Sequence, residues 1–160
     1  MPLEESRYKE YTAKRRTASY GFDYHFSSNQ LRMNPGAPLP EFLMPLRGRA
    51  AAWLGVDAAD VKHALVTEYR PGAALGWHRD APDFELVCGI SLASSCRMTF
   101  RPFPPRPDKK RVLSLDLAPR SAYVLRGDAR WRWQHGIPPA KALRYSITFR
   151  TVRRSASAGE

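Results

Sequence analysis

From residue 64 onward the chain consists of short segments in which apolar and polar positions alternate and β-branched and aromatic residues are frequent. Prolines and glycines separate the segments, which is typical of an antiparallel sandwich. The pattern predicts strands over 64–69, 86–92, 96–101, 111–117, 122–125 and 142–151. Four prolines between 102 and 107 cannot donate to a sheet ladder, so a loop is expected over 102–108.

A helical period precedes the strands. Apolar residues recur at helical spacing from Pro40 and stop at Gly55, which predicts one helix ending at residue 54. Asp57 is placed to cap a second, short helix over 58–61. The last residues, 153–160, are rich in serine and alanine, and we expect them to form a disordered tail.

Length and composition narrow the class of protein. A chain of 160 residues fits one domain with a continuous core. Cys88 and Cys96 form no CxxC pair, so reduced thiols and a cytoplasmic location are expected. The polar segment 1–14 and the lack of any long apolar run predict a protein without a membrane span.

The chain is strongly basic. Its 26 lysines and arginines against 15 acidic residues give a formal charge of +11, which favours polyanionic partners. Basic clusters occur at 14–16, 106–111 and 126–132. The alternative interpretation is an ordinary solvated surface.

Three residues predict a metal site. His78 and Asp80 are two apart on an extended segment and project to the same side, while His135 lies in the distal run Trp-Gln-His-Gly. Two imidazoles and one carboxylate can occupy one face of Fe(II), leaving positions for a chelating co-substrate and dioxygen. Arg144 and Arg150 share one face of the last predicted strand, where a dicarboxylate would supply the partner that buried guanidinium groups need.

Together with the surrounding motifs, this order of residues resembles the AlkB family of iron(II) and 2-oxoglutarate-dependent dioxygenases. The likeness runs over 66–151 and rests on Glu-Tyr-Arg-Pro-Gly at 68–72, Trp-His-Arg-Asp at 77–80, Trp-Gln-His-Gly-Ile at 133–137 and Arg-Tyr-Ser-Ile-Thr-Phe-Arg at 144–150. Upstream, 15–21 is similar to the family's substrate-covering segment.

The resemblance implies a mainly β (α+β) fold, a double-stranded β-helix or jelly roll with an N-terminal substrate-covering segment and one or two flanking helices. Residues 1–60 would form the lid and a supporting helix of the same domain. Residues 61–152 would form the catalytic core.

It also implies roles for individual residues. His78, Asp80 and His135 would bind Fe(II), and four residues would bind 2-oxoglutarate: Tyr69, Arg144, Ser146 and Arg150. Substrate would contact Arg16, Tyr20, Tyr24, Trp77 and His78. The chain departs from the family where Thr67 and Ser146 replace asparagines, although a hydroxyl can still hydrogen-bond, and where Ala81 and Pro82 replace an acidic base-reading segment.

The function implied is oxidative demethylation of N-alkylated nucleobases with Fe(II), dioxygen and 2-oxoglutarate, releasing succinate, CO₂ and formaldehyde. Single-stranded DNA or RNA is the preferred substrate, DNA repair the expected role and a monomer the expected state. Two alternatives remain open: a protein or small-molecule hydroxylase on the same scaffold, which Pro82 favours, and a non-catalytic nucleic-acid-binding module.

Overall fold

Two antiparallel sheets dominate the chain, as seen in a computed structural model that describes residues 3–8, 11–25, 30–33, 37–108 and 111–154. Side chains are described for residue 3 and for 15–22, 37–108 and 111–154. Of the predicted disordered tail, 153–160, residues 155–160 lie outside the described residues. No helix within the described ranges is long and apolar enough to cross a membrane.

The larger sheet has seven strands. Labelled in chain order and given in spatial order, six of them are β1 (Glu4–Tyr8), β2 (Tyr11–His25), β4 (Val61–Tyr69), β11 (Arg144–Val152), β6 (Phe84–Leu92) and β9 (Ser121–Leu125). The seventh, β3 (Gln30–Met33), pairs with β2. The four predicted strands in this sheet therefore lie next to one another, in the order β4, β11, β6 and β9, with β9 at the edge.

The smaller sheet has four strands in the order β5 (Leu75–His78), β10 (Trp133–Ile137), β7 (Cys96–Pro102) and β8 (Leu113–Leu117). Strands β7 and β8 were predicted, and a loop leaves β7 at Pro102 as expected. Strands β5 and β10 were not predicted because each is short and lacks a clear alternation. The antiparallel two-sheet architecture confirms the expected jelly roll.

Short helices and 3₁₀ turns flank the sheets. A 3₁₀ turn, Glu41–Leu43, leads into α1 (Met44–Leu54), which confirms the predicted helix. Gly55 ends α1 with φ of 75°, where its amide donates to carbonyls of the last turn, and a glycine adopts this left-handed conformation without steric cost. The second predicted helix is a 3₁₀ turn, Ala58–Asp60, and a further short helix, α2 (Gly127–Trp131), precedes β10.

The two faces of the larger sheet have opposite character. Its outer face packs against α1 and forms the main hydrophobic core, which includes Leu43, Leu54, Cys88, Ile147 and Phe149. Its inner face is polar, because the register aligns Ser146 with Thr67 on one side and with Ser91 on the other. All three of these polar side chains are buried. Buried polar side chains between two sheets indicate a ligand site rather than a packing core.

Candidate metal centre

The three predicted metal ligands converge between the sheets. His78 ends β5 and pairs directly with His135 on β10, so both imidazoles lie on one face of the smaller sheet. The ligand atoms of His78, Asp80 and His135 all lie within 4.8 Å of one another. Oδ1 of Asp80 is 3.6 Å from Nε2 of His78 and 3.5 Å from Nε2 of His135. Neighbouring ligands of an octahedral ion lie about 3 Å apart for bonds of about 2.1 Å, so this donor set fits Fe(II) after a small contraction.

Neighbouring groups orient two of these ligands. Nδ1 of His78 lies 2.8 Å from the carbonyl of Gly76, which can only accept a hydrogen bond, so Nδ1 holds the proton and Nε2 is left to bind metal. Nε of Arg150 donates to Oδ2 of Asp80 at 2.6 Å. Asp80 is therefore held with Oδ1 directed at the two histidines.

Burial sets the charges of the ligands. Burial and the neighbouring His78 lower the pKa of His135 to about 4, so this imidazole is neutral at physiological pH, as metal binding requires. Burial alone would raise the pKa of Asp80, but Arg150, with smaller contributions from the histidines, holds it well below its usual range. The side chain of His78 is 34% exposed whereas those of His135 and Asp80 are 7% and 4% exposed, so the centre opens on the His78 side.

Arg144 has the features of a carboxylate-binding residue. It is 1% exposed, its Nε donates to Oγ of Ser91 at 2.9 Å, and its guanidinium carbon lies 5.0 Å from the ring centre of Tyr69. Among the described residues, neither Nη1 nor Nη2 of Arg144 has a hydrogen-bond partner. Two unpaired donors on a buried cation fit one carboxylate of 2-oxoglutarate. Ser146 follows on the same face of β11, two residues nearer the metal ligands.

Comparison with known proteins agrees with this geometry. Residues 3–150 match the model of the 2OG-Fe(II) oxygenase superfamily. The chain belongs to this superfamily. The oxygenase therefore uses Fe(II), 2-oxoglutarate and dioxygen, and the resemblance to AlkB-like enzymes is confirmed.

Several relatives of the oxygenase are known. It is 40% identical over 101 residues to the uncharacterized protein L905 of Acanthamoeba polyphaga mimivirus, a match that covers 55% of this chain and 47% of the relative. It is 28% identical to the alkylated DNA repair protein ALKBH8 homolog of Arabidopsis thaliana, covering 89% of this chain and 46% of the relative. It is also 28% identical to the tRNA (carboxymethyluridine(34)-5-O)-methyltransferase ALKBH8 of Mus musculus, and this match covers 88% of this chain and 25% of the relative. The chain thus spans about half the length, or less, of these relatives.

The fold also occurs among solved structures. The structure of OsALKBH1 superposes on the oxygenase with a TM-score of 0.66 and 17% sequence identity, and the match covers 93% of this chain and 83% of that chain. At this identity the likeness extends to the jelly-roll fold alone.

Two predicted substrate residues of the oxygenase lie away from the metal. The register of β2 on β4 aligns Arg16 with Glu68 and Tyr20 with Ala64, both of which belong to the outer face. Arg16 makes two hydrogen bonds to the carboxylate of Glu68, at 2.9 and 2.8 Å, and Tyr20 packs against the main hydrophobic core. The structure therefore does not bring Arg16 or Tyr20 to the metal centre.

The alternate residues of β2 face the centre instead. Arg15, Thr17 and Ser19 share the inner face with the ligand-binding positions of β4 and β11. Arg15 reaches across to the carbonyl of Ala74 at 3.3 Å. The backbone of Tyr24 lies in β2 opposite Leu31, but its side chain is outside the described residues.

Trp77 also points away from the metal. Successive residues of a strand face opposite ways, so Trp77 projects from the outer face of the smaller sheet while His78 projects inward. Trp77 is 38% exposed, and the guanidinium of Arg101 lies 4.7 Å from the centre of its ring. Arg101 in turn donates to Oε1 of Gln134 at 2.8 Å.

Arg130 supports the metal centre, a role that the sequence did not indicate. Arg130 belongs to a basic cluster in the sequence, yet it is 2% exposed. It donates to the carbonyls of Ala81, Phe84 and Glu85 at 2.8, 2.6 and 3.2 Å. Arg130 thus holds the loop that follows Asp80 in place through these hydrogen bonds. No local sequence signal distinguishes it from the surface arginines.

Proposed function

We propose that this oxygenase removes N-linked methyl groups from nucleobases of single-stranded DNA or RNA. The observation that carries the proposal is a cavity of about 310 Å³ lined by Phe100, Leu113, Ala129 and Trp133. Phe100 pairs with His135 across β7 and β10, and their ring centres are 6.1 Å apart, so the cavity adjoins the metal ligands. Aromatic and apolar walls beside a metal centre suit a flat base that has left its stack.

The surface around the centre supports a nucleic-acid substrate. Beside His78, the guanidinium of Arg79 lies 3.8 Å from the ring centre of Phe103, an exposed aromatic residue. Exposed aromatic rings and arginines together favour base stacking and phosphate contacts. The formal charge of +11 and the nucleic-acid substrates named for the Arabidopsis and mouse relatives point the same way.

The proposed reaction assigns a role to the metal ligands and to Arg144. Fe(II) bound by His78, Asp80 and His135 would couple oxidative decarboxylation of 2-oxoglutarate, giving succinate and CO₂, to transfer of one oxygen atom from dioxygen into a methyl C–H bond. Arg144 would fix one end of the co-substrate. The N-hydroxymethyl product then loses formaldehyde: the O–H bond breaks and releases a proton, the C=O bond forms, and the electron pair of the broken C–N bond returns to the base nitrogen.

The test is to incubate the iron-loaded protein with 2-oxoglutarate and single-stranded DNA and RNA oligonucleotides that contain 1-methyladenine or 3-methylcytosine. We expect loss of methyl mass, with succinate and formaldehyde in equal amounts, and none of these products from a folded His135→Ala variant. Succinate formed while every oligonucleotide keeps its methyl group would refute nucleobase demethylation and leave the hydroxylase alternative.

A further inference from the structure

A chain of hydrogen bonds connects the metal-binding carboxylate to the strand that covers the centre. Asp80 accepts from Nε of Arg150 at 2.6 Å, and Nη1 of Arg150 lies 3.2 Å from Nδ1 of His63. Nε2 of His63 lies 3.0 Å from Oγ of Ser19 on β2. His63 is 3% exposed and sits opposite Arg150 in the register of β4 and β11.

The chemistry of the partners decides the tautomer of His63. A guanidinium group only donates hydrogen bonds, so Nδ1 of His63 must accept from Arg150. Burial and the positive charge of Arg150 both lower the pKa of His63 well below its usual value, so the ring is neutral and its one proton is on Nε2. That N–H donates to Ser19, which leaves both ring nitrogens satisfied.

Packing leaves Arg150 few other partners. Its guanidinium carbon lies 5.3 Å from the ring centre of Phe84, and the ring of His63 stacks on the same phenyl group at 4.8 Å with an interplanar angle of 29°. Arg150 is therefore clamped between Phe84, His63 and Asp80. Without the His63 acceptor, one buried N–H of Arg150 would lose its partner, and the guanidinium would be free to turn away from Asp80.

We propose that His63 is a positioning residue of the metal centre. Its Nδ1 lone pair orients Arg150, and Arg150 then holds Oδ2 of Asp80 so that Oδ1 faces His78 and His135. This inference rests on the superfamily activity and not on the choice of nucleobase as substrate, so the two can fail separately.

The first measurement is the affinity of the metal-free protein for Mn(II), which needs no turnover, determined by calorimetry in the presence of 2-oxoglutarate. His63→Leu keeps an apolar group against Phe84 but removes the acceptor, and we expect the Kd to rise about 10-fold, as for other residues that orient metal ligands. His63→Asn restores an oxygen acceptor near the Nδ1 position and is expected to recover most of the affinity. Ser19→Ala removes only the far partner of His63, and the Mn(II) affinity should stay close to wild type.

A second measurement separates positioning from catalysis. Succinate formation by His63→Leu should need more Fe(II) to reach half of its maximum rate, while kcat at saturating Fe(II) returns towards wild type. Thermal unfolding of the metal-free variants establishes that each is folded. The proposal is overturned if folded His63→Leu binds Mn(II) as wild type does, if His63→Asn is as weak as His63→Leu, or if Ser19→Ala weakens binding equally.

Discussion

Replacing Arg144 with methionine should leave the metal-free protein about as stable as wild type, although Arg144 is among its most deeply buried side chains. The reason is that Nη1 and Nη2 have no partner among the described residues until a carboxylate binds. Arg150 on the same strand is the matched control, because its guanidinium is already paired with Asp80 and His63.

The magnitude follows from the contacts. Each unsatisfied buried donor of Arg144 costs about 1–3 kcal/mol, while losing the bond from Nε to Ser91 gives up about 1.5–3 kcal/mol and losing the ring contact with Tyr69 about 0.5–2 kcal/mol. These contributions nearly cancel, so Arg144→Met should change the free energy of unfolding by less than about 2 kcal/mol. Arg150→Met leaves the carboxylate of Asp80 buried without its cation, which should cost about 3–5 kcal/mol.

Urea unfolding with the metal chelated measures both variants. In a second series with Mn(II), adding 2-oxoglutarate at 100 times its Kd should stabilise wild type by about 2.7 kcal/mol and Arg144→Met hardly at all. If Arg144→Met and Arg150→Met lose the same stability without ligand, the reasoning from the unpaired nitrogens fails. If 2-oxoglutarate stabilises Arg144→Met as it does wild type, Arg144 does not bind the co-substrate.

Two further predictions concern stability. A Cβ added at Gly89 would overlap the ring of Tyr123, so Gly89→Ala should lose about 1–3 kcal/mol in urea unfolding. Gly48→Ala, in α1 with nothing within 4 Å of the added Cβ, should instead gain about 1 kcal/mol, and equal losses at both sites would contradict this. Hydrogen bonds, above all the one from Arg16, lower the pKa of Glu68 from 4.5 to about 2. The ionised Glu68 carboxylate therefore stabilises the folded state fully above pH 4.5, and this contribution is lost as the pH falls towards 2. The free energy of unfolding of Glu68→Gln should therefore be lower than that of wild type at neutral pH and approach it near pH 2. A difference in this free energy that stays constant across the pH range would refute the assignment.

Patterns within one segment of sequence predicted the corresponding structure well. The central strands and α1 were found because alternation and helical spacing are local properties, and Gly55 marked the end of α1. The shared face of Arg144 and Arg150 followed from even spacing on β11, and the structure places both on the inner face. The outer strand β1 and the short strand β5 lack such signals, and their pairing depends on neighbours that are distant in sequence.

Residue types and local spacing thus predicted the donor set of His78, Asp80 and His135, and the structure brings these three residues together. Only the tertiary structure decided which side chains surround that set, because a shift of one residue in strand pairing moves every side chain to the opposite face. The register of β2 on β4 turned Arg16 and Tyr20 outward and Arg15 and Ser19 inward. The same cause brought His63 to Arg150, a contact between residues 87 positions apart that no local pattern indicates.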